Sequence, residues 1–406
     1  MQYHRGPIGK IDPQKKITII GAGISGLCLG HYLKKKGLKF EILEKEGRVG
    51  GKLESFEAEH GLVEKAANAV YANDDVLALL NDLDLAPISP TKGLRRKVWL
   101  DGKAKTFPFK FSFLLHILLG LFKKPPSLSD KMTVYDFFRP WLGEVGAYDI
   151  LSAGLGGVYA TDSKSLAMSS LFKNLKQPKT YLQFIFQLKK NKEKTYGSLG
   201  FVIGMQELIN ALKNELKDEI KVGEAQSTAK DNSIICTDAY QAALLSPTQA
   251  LKNLLSLLPY QKVSSATVHL KKEIKDLERS FGLLFPPGSN FKALGVLNNK
   301  AIFSGRVKNE NSFSYTFIFP TVDDPQGLLL GTLTQLQVDS SDILDSFIHP
   351  WSPGLPQYSP YRMELISELH HLVNSNTYNI AYFGNYTGGI SIREIISQAK
   401  HWSAKL

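Results

Sequence analysis

Cysteine is nearly absent. Two residues in a chain of 406, Cys28 and Cys236, exclude the disulfide framework that staples small secreted domains. Cys28 falls in a helix behind a glycine-rich turn and Cys236 ends the apolar run SIIC, so both read as core packing in a reducing, cytoplasmic setting. The nine histidines fall in no zinc-like spacing, His370 and His371 read as surface residues, and no metal is expected. No Ser-His-Asp set, internal repeat or low-complexity tract is present. The first sixteen residues carry neither the apolar segment nor the cleavage site of a secretory signal and are expected to form a frayed lead-in. Acidic charge is scarce too: 38 Asp and Glu against 49 Lys and Arg leave a net charge of +11. With no nucleic-acid-binding motif beside it, that excess suits an anionic membrane surface or an acidic small substrate rather than nucleic acid.

Long hydrophobic runs are also missing. Residues 111–122, FSFLLHILLGLF, sit between Lys110 and the pair Lys123 and Lys124. As a helix they would span about 18 Å at about 1.5 Å per residue, short of the roughly 30 Å of a bilayer core. A buried helix and a patch dipping into one leaflet both stay open. Residues 176–196 add six lysines against Glu193 alone around YLQFIFQL, either a solvated face or a surface for anionic lipid. The 43% hydrophobic content supports a sizeable core divided among two or three domains.

The most informative stretch is residues 17–52. A β-branched strand, Ile17–Ile20, runs into Gly21, Gly23 and Gly26, with Ile24 and Ser25 opening a helix. Bare backbone there lets a pyrophosphate approach a helix N-terminus. Gly30 lets the helix lie close on the sheet, Gly37 turns the chain back, and Lys39–Leu43 form a second strand ending at Glu44. That carboxylate is placed for ribose hydroxyls, which argues against a 2′-phosphate. Lys45, Arg48, Gly50, Gly51 and Lys52 follow, a second diglycine element that returns the backbone to the phosphates with a guanidinium aimed at them. This addition points to a flavin dinucleotide.

Beyond Leu199, GMQELINALKNEL reads as an amphipathic helix, SIICT as a strand, and residues 262–335 alternate as an antiparallel sheet does. The C-terminal NIAYFGNYTGGISIREIISQA reads as a strand, a glycine-rich turn and a helix beginning near Gly389. Backbone N–H groups there, with the positive helix end, could stabilise charge on a reduced flavin's N1 and C2 carbonyl region.

Taken with EKAANAV (64–70), RKVWLDGK (96–103), GGVYATDSKSLAMSSLF (156–172), GMQEL (204–208), LGVLNNKAIFSGR (294–306), PWSPGLPQY (350–358) and GNYTGGIS (384–391), these elements resemble the oxygen-dependent protoporphyrinogen oxidase family, within the amine-oxidase-like FAD superfamily. The likeness runs from residue 17 almost to the end. It implies an α/β fold in three parts. A discontinuous Rossmann-like FAD-binding domain would comprise 16–90, 199–256 and 372–406. A substrate domain with an antiparallel sheet would comprise 91–100 and 257–371, and a helical membrane-binding insertion 101–198. The family has glycine where this chain has Ala66 and Thr161.

The resemblance implies FAD as cofactor, a porphyrinogen as substrate, dioxygen as acceptor and peripheral association of a cytoplasmic protein with the membrane. The expected reaction is oxidation of protoporphyrinogen IX to protoporphyrin IX in heme biosynthesis: six electrons in three flavin cycles, with release of hydrogen peroxide. A coproporphyrinogen III oxidase is the alternative; another flavin amine oxidase or desaturase, or a non-catalytic flavin-binding protein, is the second. By the same resemblance Arg96 anchors a substrate carboxylate, Asn68 lies beside the flavin, and Gly157, Tyr159 and Ala160 line the far wall of the pocket. Ala66, Ala67, Gly384, Asn385, Gly389, Ile390 and Ser391 join the residues of 21–52 around the cofactor. The chain leaves its oligomeric state unstated.

Overall fold

Two sheets organise the chain, and the computed structural model describes residues 7–106, 111–172, 175–375 and 377–406. The first sheet has six strands, in the order Ile8–Gly9, Ile380–Tyr382, Ser233–Ile235, Ile17–Ile20, Phe40–Glu44 and Ile220–Val222. All are parallel except the edge strand Ile8–Gly9. Helices cover both faces, so alternate strand residues enter two separate cores. Ile17, Ile19, Ile42, Ile234 and Ala381 pack under helices Ile24–Lys35 and Ile392–Ser403. Ile20, Ile235, Ile380 and Tyr382 pack under Ala239–Leu245, Gln249–Ser256 and Pro360–Ser375. A Cβ on Gly30 would lie 2.8 Å from Ile42 Cδ1, which is why the first helix needs glycine to lie so close. The expected frayed lead-in ends earlier than residue 16. Ile8 is fully buried, and Gly9, at φ +124°, admits the backbone of Ile380 where a side chain would collide.

The second sheet has seven strands, in the order Ile343–Pro356, Tyr260–Leu270, Phe313–Phe319, Gly295–Asn298, Ser280–Leu284, Arg95–Leu100 and Lys103–Thr106. Its pairings are antiparallel except that of Ser280–Leu284 with Arg95–Leu100. The alternation expected across 262–335 stops short of its end, because Pro325–Gln335 is a helix. Proline occupies the first turn, where it costs no hydrogen bond, and the Asp324 carboxylate caps the Gly327 N–H at 3.0 Å. Leu329 and Leu333, one turn apart, then bury against the sheet.

Helices within residues 134–172 and 181–190 surround an aromatic core of Phe137, Phe138, Trp141, Tyr181 and Phe184. Helix Phe111–Gly120 leans on it: Trp141 donates Nε1–H to the Ile117 carbonyl at 2.9 Å, and Gly120 sits where a Cβ would strike the indole. Its other face is uncovered, with Leu119 67% exposed, and Phe122 in the turn that follows is 72% exposed. Among the described residues no helix is long and apolar enough to cross a membrane. Lys110, expected to flank this run, lies outside the described residues.

The two sheets meet around residues 52–66. Ser265 Oγ and Trp351 Nε1 both donate to the Lys65 carbonyl, at 2.6 and 3.0 Å. Glu64 is paired with Arg306 at 3.1 Å in full burial, and desolvation raises the carboxyl's pKa against that cation and the Ser55 hydroxyl.

Candidate functional site

The strand Ile17–Ile20 ends at Gly21, whose φ of +105° turns the chain sharply, and Gly21 N–H closes on the Leu43 carbonyl at 2.8 Å. The three glycines of the turn do different work. A Cβ on Gly26 would lie 2.0 Å from the Gly21 carbonyl oxygen, so that glycine serves the protein's own packing. Gly23 has φ −72°, and a Cβ there would meet only the Gly51 Cα, 4.0 Å away. No internal contact requires its bareness; the space it leaves belongs to a cavity. Gly50 and Gly51, at φ +110° and +59°, fold the second diglycine back onto the first, with Gly50 N–H bonded to the Ala22 carbonyl at 2.8 Å. Helix Ile24–Lys35 starts here with no side-chain cap and no acid in its first turn, so its free N–H groups and positive end are left for an anion.

The cavity has a volume of about 1490 Å³ and is continuous between the sheets. Gly21, Gly23, Ile24, Ser25, Glu44, Lys45, Arg48, Gly50, Gly51 and Lys52 all line it, as do Ala66 and Ala67, and from the C-terminus Gly384, Asn385, Ile390 and Ser391. Gly26 and Gly389 stand behind these, shaping the turns. The Glu44 carboxylate accepts Ala22 N–H at 2.8 Å and Glu46 N–H at 3.0 Å, which fixes it in the cavity wall with lone pairs to spare for hydroxyl donors. Arg48 is committed within the protein, to Glu54 at 2.9 Å and the Gly51 carbonyl at 2.7 Å. Lys45 is exposed, with Glu46 3.8 Å away. Lys52 donates to the carbonyls of Pro353 (2.6 Å) and Gly354 on the second sheet, and burial lowers its pKa to about 8.

The other half of the cavity is largely apolar. Gly156, Gly157, Val158 and Ala160 form one wall, and Val263, Ser265, Ile318 and Trp351 of the antiparallel sheet form another, with Tyr71 at the rim. Tyr159 turns away from it and packs edge-on against Tyr358, ring centroids 5.7 Å apart. Asn68 falls outside the lining while its neighbours Ala66, Ala67 and Ala69 are within it. Arg96 is not brought to the cavity: its strand lies next to the edge of the seven-stranded sheet, and the exposed guanidinium stacks over Phe281 at 4.5 Å. Tyr71, Ser265, Ile318 and Trp351 escape a residue-by-residue reading of the sequence; for Trp351 the one signal is its place in PWSPGLPQY.

Residues 19–83 match the family model of the NAD(P)-binding Rossmann-like domain. Across 94% of the chain and 92% of the relative, the sequence is 25% identical to protoporphyrinogen oxidase 2, chloroplastic/mitochondrial, of Arabidopsis thaliana. It is 24% identical to the coproporphyrinogen III oxidase of Bacillus subtilis over 68% of each chain. This chain is a homologue of those oxidases. Among solved structures, an Exiguobacterium protein provisionally assigned as a protoporphyrinogen oxidase superposes with a TM-score of 0.78 over 96% of this chain and 98% of its own, at 15% identity. A putrescine oxidase does so with 0.68 over 96% and 99%, at 10% identity, so the fold extends to amine oxidases. This homologue is an oxidoreductase, and the cradle around Gly23 and Glu44 fits FAD.

Proposed function

We propose that the protein oxidises protoporphyrinogen IX to protoporphyrin IX with FAD as cofactor and dioxygen as acceptor. The observation that carries this reading is the continuous cavity running from the glycine cradle to an apolar wall of the antiparallel sheet. At about 1490 Å³ it exceeds the roughly 300–1,000 Å³ of a pocket for one small ligand, which leaves room for a dinucleotide and a tetrapyrrole macrocycle together. Bound FAD supplies hydride acceptance two electrons at a time, so the six-electron oxidation takes three rounds, each closed by dioxygen with release of hydrogen peroxide.

The chain's own residues bind, orient and keep water out. Gly23 and the N-terminus of helix Ile24–Lys35 receive the pyrophosphate, and Glu44 takes the ribose hydroxyls. Val158, Val263, Ile318 and Trp351 give the macrocycle a dry slot. The propionates leave past Tyr71, which is half-exposed at the rim and carries the Arg393 guanidinium 5.3 Å over its ring. Arg393, rather than the outlying Arg96, is the better placed carboxylate anchor. The uncovered Leu118, Leu119, Phe122 and Phe186, beside Lys123, Lys124, Lys189 and Lys190, support peripheral docking of the helical segment on one leaflet.

The test is aerobic incubation of the FAD-loaded protein with protoporphyrinogen IX and, separately, coproporphyrinogen III, following porphyrin fluorescence against an enzyme-free control. Faster oxidation of the first is expected, and Arg393→Ala should raise KM several-fold with little change in kcat, the signature of lost ground-state binding. Preference for the second substrate moves the assignment to the coproporphyrinogen branch. No turnover of either removes the porphyrinogen reading.

A further inference from the structure

Arg362, in helix Pro360–Ser375, is 1% exposed, yet it makes no ion pair with a carboxylate among the described residues. A buried guanidinium is normally paired, because its charge loses water's solvation. Here the guanidinium carbon lies 3.9 Å from the centre of the Tyr358 ring, Nη1 faces Met363 Sδ at 3.5 Å, Nη2 donates to the Tyr386 carbonyl, and Nε has no partner. The groups packed around it do not neutralise it. The buried hydroxyls of Tyr260, Tyr382 and Tyr386 have their pKa values raised by desolvation and stay uncharged. The nearby Asp238 carboxylate is turned to the N-cap of helix Ala239–Leu245. Among the described residues, then, this buried guanidinium has no carboxylate paired directly with it.

What Arg362 and Tyr358 do hold is the turn between Phe383 and Ser391. The Tyr358 hydroxyl is shared between the carbonyls of Asn385 and Gly388, and Arg362 takes that of Tyr386. Three carbonyls of one short turn are thus gripped from the same side. In a planar trans peptide the N–H lies opposite the C=O, so the N–H groups of Tyr386, Thr387 and Gly389 are directed away from this grip. Thr387 N–H closes the turn onto the Gly384 carbonyl at 3.1 Å. The same turn lines the cavity through Gly384, Asn385 and Ile390.

We propose that Arg362 is a positioning and electrostatic residue for the bound flavin, gripping the 384–390 turn from behind and supplying the positive field that favours the reduced, anionic cofactor. The inference rests on the reading that the cavity holds FAD with its ring system at this turn. An oxidised flavin ring is neutral; two electrons and one proton leave it with one negative charge, which the buried guanidinium stabilises through the intervening peptide dipoles. The field is screened little, because both groups are inside the protein.

The experiment is a spectroelectrochemical titration of the FAD-loaded wild type, Arg362→Lys and Arg362→Met, with FAD affinity measured in parallel. Arg362→Met should lower the midpoint potential by at least about 30 mV, a tenfold shift of a two-electron equilibrium, while Arg362→Lys keeps most of the wild-type value. An unchanged potential in an Arg362→Met protein that still binds FAD overturns the proposal. So does a potential in Arg362→Lys as low as in Arg362→Met, since position alone would then explain the effect. Should Arg362→Met not fold, the wild type still decides. An anionic reduced state takes up one proton per two electrons, so a tenfold change in proton activity should move the potential by about 30 mV between pH 6 and 8. A slope of about 60 mV throughout that range rejects the proposal. Failure of the wild type to bind FAD at all is a separate outcome that removes the flavin reading beneath it.

Discussion

At the scale of single residues, the three glycines of the first turn separate what the fold needs from what the ligand needs. Gly26→Ala would push a methyl group into the Gly21 carbonyl, 2.0 Å away, and should lower apo-protein stability by several kcal/mol, because neither backbone can retreat. Gly23→Ala meets nothing closer than 4.0 Å and has an ordinary φ, so the apo-protein should melt within about 1–2 °C of wild type. Its methyl group would instead stand where a pyrophosphate must approach, and FAD affinity should fall at least tenfold. Thermal melts of the two apo-variants with FAD titration by fluorescence quenching check both halves; unaltered affinity in Gly23→Ala would contradict the cradle. The glycines were legible in the sequence because their requirement is local: strand, turn and helix within a dozen residues. The carboxylate anchor proposed above was not. Arg96 and Arg393 are equally basic in sequence, and only the fold shows that Arg393, more than three hundred residues along the chain, stacks over Tyr71 of the cavity lining.

At the scale of elements, period and caps decided most assignments, and a misread segment shows their limit. Residues 325–335 follow alternating strands and carry apolar residues at spacings that serve either period, but Pro325 and the Asp324 cap start a helix that a reading by alternation passes over. Helix Phe111–Gly120 was visible as an apolar run, yet its length left burial and membrane contact equally open. The structure shows one face buried and one bare: Ile117 and Gly120 are fixed on Trp141, while Leu118, Leu119 and, just past the helix, Phe122 stay uncovered. If this face docks on a leaflet, replacing Leu119 and Phe122 with glutamate should abolish co-sedimentation with vesicles rich in anionic lipid. Thermal stability should stay within about 1 kcal/mol of wild type, because neither side chain is in the core. Vesicle binding of wild type that falls with added salt would report the contribution of Lys123, Lys124, Lys189 and Lys190. Equal binding by the double variant would show that some other surface carries the attachment.

At the scale of the whole molecule, the cavity exists because two sheets are held together around residues 52–66, and Lys52 is a cation at that junction that also lines the cavity. Its ammonium belongs by sequence to the dinucleotide unit and by hydrogen bonding to the Pro353 and Gly354 carbonyls of the other sheet. Burial lowers its pKa to about 8, below the roughly 10.4 of a lysine in an unfolded chain. The sign follows from proton counts. Below about pH 8 both states carry the charge, and between 8 and the unfolded value the native state has released its proton while the unfolded chain has not. Apo-protein stability from this group therefore rises with pH across that window. FAD reverses the preference, since its anionic pyrophosphate favours the charged amine lining the same cavity. Binding above pH 8 then takes up a proton, and affinity should weaken as pH rises from 8 to 9, by at most tenfold per pH unit for one linked proton. A guanidinium in the same place keeps its proton throughout this range, so the Lys52→Arg variant should show a flat dependence of FAD affinity on pH from 7 to 9. Parallel titrations of wild type and Lys52→Arg decide the matter: equal weakening of both would place the linked proton on another group and leave Lys52 as a tether between the sheets alone.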